Sequence, residues 1–306
     1  MLKNFIPAIR YGNRLTPDEA QGLVPVTFGS IFFVDSATGS DTANSGTSPD
    51  DAYATIDAAI ALCTANKGDI IYVMPGHSET PSGTITFDVA GVTVIGMGVG
   101  SKRPLVTSSN ATAAVSMTAE GCRISNIQFA LGVATITDCI NITANGCQVD
   151  NCETQVHATS QFTNHITVTD AQFVKLLDNR ILSLGAAGST SGIVLDGCDD
   201  IEVIGNFIHG HFGEHALDNT TPGSCDEILR ANIANNYIAN VSTTAGDMAV
   251  ELDAAATGWF AHNQLMSGLA TTAAGFDIGN MVSAESYIAD DIGIDVHTIV
   301  IGTAAV

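Results

Sequence analysis

Eight short apolar segments, each closing on Gly, Asn or Asp, recur along this chain at a nearly constant step. They are VTVIG (to Gly96), CRISN (Asn126), CQVDN (Asn151), KLLDN (Asn179), EVIGN (Asn206), NIANN (Asn236), WFAHN (Asn263) and YIADD (Asp291). The steps are 30, 25, 28, 27, 30, 27 and 28 residues. A second set lies between them: VSM (115–117), INI (140–142), ITV (166–168), IVL (193–195), AVEL (249–252) and FDI (276–278). Two strand-like series sharing one period near 27 residues point to a solenoid, in which each repeat buries its apolar face only by stacking on the next. The segments are too short and turn-rich for a helix-bearing repeat, and no helical periodicity runs between residues 85 and 300. The fold expected is all-β, a single right-handed parallel β-helix. At about 4.8 Å per coil, seven steps span roughly 34 Å.

Equivalent residues of stacked coils form columns. Gly96, Asn126, Asn151, Asn179, Asn206, Asn236, Asn263 and Asp291 are therefore predicted to share one corner column. Asn suits a sharp corner because it tolerates left-handed backbone, and stacked amides hydrogen-bond along a ladder.

The N-terminal part breaks the period. SPDDAYATIDAAIALCTANKGD predicts a capping helix over about 48–66, with Ser48 as N-cap, Pro49 at the first helical position, and Asp50 and Asp51 against the dipole. Tyr53, Ile56, Ile60 and Cys63 line one face of it. Such a helix would cover the open end of the solenoid, whose coils would fill 31–306. Residues 1–30 form a separate arm, with Lys3, Arg10 and Arg14 among apolar residues such as Phe5. A solenoid closed by its own helix leaves this arm nothing to bury against, so it is expected to attach to a partner.

The net charge of −22, from ten cations against thirty-two acids, argues against a nucleic-acid partner. No run reaches the length of a membrane span, and no secretory leader is evident. Seven cysteines without a CxxC pair read as small buried hydrophobes of a chain folded in a reducing compartment, such as the cytoplasm of a host cell.

The segment FVDSATGSDTANSGTSPDDAYATIDAAIALCTANKGDIIYVMPGHSET (33–80), followed by VTVIGMGVGSKRP (92–104), resembles the opening coils of pectate-lyase-like right-handed β-helix proteins. The combination is similar to β-helix proteins encoded among the virion structural genes of tailed phages. The resemblance covers residues 31–130 in detail and the remainder in architecture. It implies a fold and a place on a particle, and no activity. Proteins of this kind are often trimers.

Three constellations are candidate sites. Asp199 and Asp200 resemble the paired aspartates of hydrolases of this fold, and Gly210-His211 resembles their G-H element. No cation follows Arg230, however, so the basic element of that pattern is missing and a solvated turn is the plain alternative. Asp196, Asp218 and Asp253 follow similar strands and are expected to stack in one column. Glu251 shares a strand face with Asp253, and Asp247 and Asp277 lie near. Stacked carboxylates would bind Ca²⁺, raise their pKa or splay into water; a pair about 5–9 Å apart suits a glycosidase acid and base. His209, His211, Glu214 and His215 fall within seven positions and carry the donor types of a zinc or iron site. The spacing is a weak pattern, so no bound metal, and no cofactor, is expected. His77 and His165 read as isolated surface or turn residues.

The expectation is a non-enzymatic virion structural protein on the particle exterior, a capsid decoration or tail-associated protein. Its arm would join it to other virion proteins, in three copies. The alternatives are a tailspike-like polysaccharide hydrolase or lyase, or a module binding host surface glycan through Trp259 and Tyr237. Scarce aromatics and missing cations weigh against catalysis.

Overall fold

The computed structural model describes residues 27, 29–109, 112–133, 135–155, 161–184, 189–219, 227–244, 246–268, 276–284, 286–290 and 297–298. It is a parallel β-solenoid of about seven turns. Each coil visits three sheets in order, as in Gln148–Asp150 (sheet 1), Glu153–Thr154 (sheet 2) and Gln161–Thr169 (sheet 3). Sheet 1 runs from Ile31–Val34 to Val282–Ala284 and sheet 3 from Ile85–Phe87 to Phe276–Asp277. Sheet 2 starts at Ser78–Glu79, and its one antiparallel pair joins Tyr287–Asp290 to His297–Thr298.

Alternation along each short strand sends one aliphatic residue per sheet inward. In sheet 1 these are Val94, Ile124, Val149, Leu176, Val203, Ile233 and Phe260, in direct register from coil to coil and all buried. The second sequence series forms the matching column of sheet 3: Val115, Ile140, Ile166, Ile193, then Leu217, then Val250 and Phe276. Each such aliphatic side chain contributes about 1.5–3 kcal/mol on burial. Among the described residues six cysteines are free. Burial pushes Cys152 and Cys198 up to about 12, the behaviour of inert packing residues.

The corner between sheets 1 and 2 corrects the predicted Asn column. Seven of the eight residues divide into two adjacent columns. Asn126 and Asn151 occupy the left-handed position, with φ of 58° and 51°, and the residues that follow them there are Asp178, Gly205, Asn235 and His262. Gly96 precedes Asn126 in that register without a positive φ. Asn179, Asn206, Asn236 and Asn263 lie one residue further on, facing inward and buried. Their amides link coil to coil: Asn179 Nδ2 donates to Asn206 Oδ1 at 3.0 Å, Asn206 to Asn236 at 3.0 Å, and Asn236 to Asn263 at 3.0 Å. Each of these oxygens also accepts the backbone N–H of the Asn one coil before. Asp291 lies outside the described residues, and the segment before it, Tyr287–Asp290, pairs in sheet 2 rather than sheet 1, so YIADD is not a member of the series.

The predicted helix over 48–66 is also shorter. Pro49–Asp51 is one 3₁₀ turn and the α-helix, α1, is Ile56–Ile60, with Thr55 rather than Ser48 as its side-chain N-cap. The break has a cause. Tyr53 bridges Val34, and its backbone N–H and C=O bond Phe33 and Asp35, which holds residues 52–55 extended beside the first strand. Ile56, Ala59 and Ile60 are buried against the first coil, while Cys63 is only half-buried. The arm, with Lys3, Phe5, Arg10 and Arg14, lies outside the described residues.

Candidate functional site

The histidine-rich segment is divided by the fold. Phe207–Gly210 is a sheet 2 strand, so Ile208 points inward while Phe207 and His209 point outward. The register Arg180–Phe207–Tyr237 stacks these side chains along the solenoid axis. Phe207 and Tyr237 lie 4.8 Å apart at 8°, with His209 stacked beside both and the Arg180 guanidinium 5.7 Å from the Phe207 centroid. The face of Tyr237 is thus used internally. His215 instead leads into sheet 3, where Nε2 meets Glu251 Oε2 at 2.8 Å and Nδ1 accepts the Met248 N–H at 3.2 Å. Because Nδ1 accepts, the ring proton sits on Nε2 and is aimed at Glu251. His211 has a buried Nδ1 without a partner. No group of three or more metal-ligating side chains converges among the described residues.

The acidic column is corrected as well. Asp218 pairs with Val194 on one side and Glu251 on the other, and Glu251 pairs with Asp277. Asp196 aligns with Thr169, two positions further along the strand, and Asp253 lies two residues beyond Glu251. Asp253 and Asp277 each accept a backbone N–H two residues on, from Ala255 and Gly279, which makes them turn formers. The stacked carboxylates are therefore Asp218, Glu251 and Asp277, on the outer face of sheet 3, with Glu214 close by.

This face has unusual electrostatics. Asp218 is fully buried and accepts a hydrogen bond from Ser191 Oγ at 2.9 Å. Burial pushes the Glu251 carboxyl above its ordinary value; His215 opposes this, while Asp218, Asp277 and Glu214 add to it. Burial likewise raises Glu214, helped by Asp218 and Asp247. Three coils before Asp218, Asp138 is raised by burial and bonded by Thr167 Oγ1 at 2.6 Å and Asn164 Nδ2 at 3.3 Å. Asp138, Asn164 and Ser191 share one register and form a polar track with Asp218. They stand two residues before INI, ITV and IVL, so the period that revealed those strands also marks them.

Asp199 and Asp200 sit elsewhere, on the corner from sheet 3 to sheet 1. Arg230 clamps Asp200 through Nε (2.8 Å) and a terminal nitrogen (2.7 Å) and reaches Asp199 at 3.3 Å. That bidentate bond holds the Asp200 carboxyl below its usual value, the opposite of what a general acid needs. Gly210 is glycine because a Cβ there would meet the Ser183 carbonyl at 2.3 Å, so the G-H element has a packing reason. His77 and His165 are both buried, which corrects their reading as surface residues. His77 Nδ1 accepts the Ser36 N–H and its Nε2 lies 3.3 Å from Glu79. His165 bridges the hydroxyls of Thr154 and Ser189 at 2.9 and 2.7 Å.

No protein-family model and no curated protein matches the chain. Among solved structures it is similar to a variant of sacteLam55A from Streptomyces sp. SirexAA-E in complex with glucose, with a TM-score of 0.53 and 11% identity over 77% of this chain and 46% of that one. It is also similar to ORF18 of Geobacillus virus E2, with a TM-score of 0.38 and 12% identity over 85% and 61% of the two chains. A third is the pectin methylesterase of Aspergillus niger, with a TM-score of 0.41 and 17% identity over 87% and 88%. The chain spans less than half the length of the first of these. The likeness is to β-helix proteins, and at these identities it is one of fold alone.

Proposed function

We propose that this chain is a non-enzymatic structural protein of a tailed-phage particle, displayed on the exterior as a capsid decoration or tail-associated right-handed β-helix. The arm over residues 1–30 attaches it to a capsid or tail protein, three copies share one attachment point, and α1 covers the open end of the solenoid. One observation carries the reading. All four described arginines and Lys175 are spent on ion pairs that tie coils together: Arg123–Asp150, Lys175–Glu202, Arg230–Asp200, and Arg103 and Arg180 on the two oxygens of Glu153. Such pairs stiffen a rod and, beyond Lys67 and Lys102 in its first coils, leave no unpaired cation among the described residues to stabilise charge on a substrate. The phage setting rests on the resemblance of residues 33–104. Deleting residues 2–28 is expected to leave a soluble, folded chain that is absent from purified particles by mass spectrometry. Incorporation at normal occupancy would place the attachment on the solenoid and overturn the role of the arm.

A second reading, polysaccharide cleavage on sheet 3, is favoured by the raised Glu214 and Glu251 around the buried Asp218. A carboxyl pushed above its ordinary value is shifted in the direction that a general acid of glycoside hydrolysis needs. The two readings separate in one assay. The structural reading expects no release of reducing ends or unsaturated products from host envelope polysaccharide. Release that falls about a hundredfold or more in Glu251→Gln would establish the enzyme instead.

A further inference from the structure

We propose that the outer face of sheet 1 binds a neutral glycan chain laid along the solenoid axis between Phe173 and Trp259. The inference does not depend on whether the chain sits on a particle.

It starts from a strained residue. At the corner into sheet 1 the left-handed backbone position is filled by Gly91, Gly121 and Gly146, then by Phe173 with φ of 59°, Asp200 and Arg230. Glycine is the unstrained choice there, and a bulky residue with positive φ is a true outlier. Strain of this sort is ordinarily repaid by packing or by function. Packing does not repay it, because the Phe173 side chain is 56% exposed. Trp259 stands on the same face and is 47% exposed. Neither ring stacks on another among the described residues, in contrast to Phe207 and Tyr237 on sheet 2, so their faces remain open to a ligand.

The surface between them has the chemistry of a sugar-binding strip. The register Lys175–Glu202–Asn232–Trp259 runs straight along sheet 1. Phe173, Asp200 and Arg230 follow one another along its border. Phe173 and Trp259 are thus three coils apart, about 14 Å along the axis. The coil spacing of about 4.8 Å is close to the length of one pyranose unit, so a linear glycan advances about one sugar per coil. Lys175 meets Glu202 at 2.9 Å and Arg230 holds Asp200 in two bonds, which pre-orients four groups for hydroxyls. Aromatic faces at the ends and fixed polar groups between them suit the apolar faces and hydroxyl rims of sugars. Lys175 and Arg230 face Glu202, Asp200 and Asp199, so the strip carries no excess of positive charge on a chain of net charge −22; an uncharged glycan fits and an acidic one is repelled.

Trp259 is the only tryptophan, so its emission reports on this strip alone. The full chain would be titrated with neutral hexaoses (cello-, malto-, laminari- and manno-) and with a uronic-acid hexamer. A saturable change is expected with at least one neutral hexaose and none with the uronate. Phe173→Gly puts in the residue that the same column uses elsewhere. It is expected to weaken binding about tenfold while leaving the melting temperature equal or higher. Trp259→Leu, followed by calorimetry, should lose the binding too. The proposal is overturned if no neutral hexaose changes the emission, or if Phe173→Gly binds as the parent does. It is likewise overturned if sedimentation shows that the parent self-associates and Phe173→Gly does not, since the strip would then be a contact between copies.

Discussion

Asn236→Leu should lower the unfolding free energy by about 3 kcal/mol or more, because it leaves the buried Asn206 backbone N–H and the Asn206 and Asn263 side-chain amides without this partner, at about 1–3 kcal/mol for each buried group. Asn236 Nδ2 donates to the Val203 carbonyl at 2.8 Å and to Asn263 Oδ1 at 3.0 Å. Its Oδ1 accepts the Asn206 backbone N–H at 2.8 Å and the Asn206 amide at 3.0 Å. Leucine replaces none of these, and the interior offers no water in exchange. The effect should not stay local, since each ladder amide orients the next. Asn151 provides the contrast. It holds the left-handed position with φ of 51° and is exposed, so Asn151→Gly should cost less than about 1 kcal/mol. Denaturant unfolding of both variants measures the difference. Equal costs would mean that the two columns are physically alike and that the division between them has no energetic content.

That division shows where the sequence could be read and where it could not. The period was legible because every coil repeats one inward aliphatic residue with small polar residues at its corner. The corner residue itself was not, because several coils carry two suitable residues in a row: Asp178-Asn179, Gly205-Asn206 and Asn235-Asn236. Either member tolerates a left-handed backbone, so local chemistry does not say which one turns. Aligning on the buried aliphatic residue does. Asn126 and Asn151 stand two residues after Ile124 and Val149, whereas Asn179, Asn206, Asn236 and Asn263 stand three after Leu176, Val203, Ile233 and Phe260. The signals Ser48-Pro49-Asp50-Asp51 start a single 3₁₀ turn, with no side-chain cap from Ser48, because Tyr53 is committed to the first strand.

The candidate site was half legible for the same reason. Glu251 was singled out through its spacing to Asp253, yet its working neighbours, Asp218 and His215, come from the preceding coil. Only register brings them together, and a one-residue error in register moves a side chain to the other face. The histidines were grouped by closeness in sequence, although His209 stands on a sheet 2 strand and His215 on the segment leading into sheet 3. Closeness along the chain means little in a solenoid, where about 27 residues of sequence amount to one step of about 4.8 Å in space.

His165 should make the folded chain acid-sensitive across a window that its carboxylates do not explain. It is fully buried, with its ring between Phe162 and Phe212 and both nitrogens on the hydroxyls of Thr154 and Ser189. Burial lowers its pKa from 6.5 to about 3, so the folded chain keeps it neutral while the unfolded chain protonates it. The sign follows from proton counts. Between those two values the unfolded state binds more protons, so stability is full above about pH 6.5 and is lost as pH falls towards about 3. The whole effect is on the order of 5 kcal/mol. Asp138, Glu214 and Glu251, whose pKa values are raised, act in the opposite sense, since a folded state that holds more protons gains stability as pH falls. The His165 contribution is therefore read as a difference between the chain and His165→Gln, which keeps a hydrogen-bonding amide but has no group to protonate. Denaturant unfolding of both, followed from pH 7 to pH 4, should show the chain losing stability relative to the variant by about 3 kcal/mol. Parallel curves would mean that His165 takes up its proton in the folded state, and that the interior around Thr154 and Ser189 admits water.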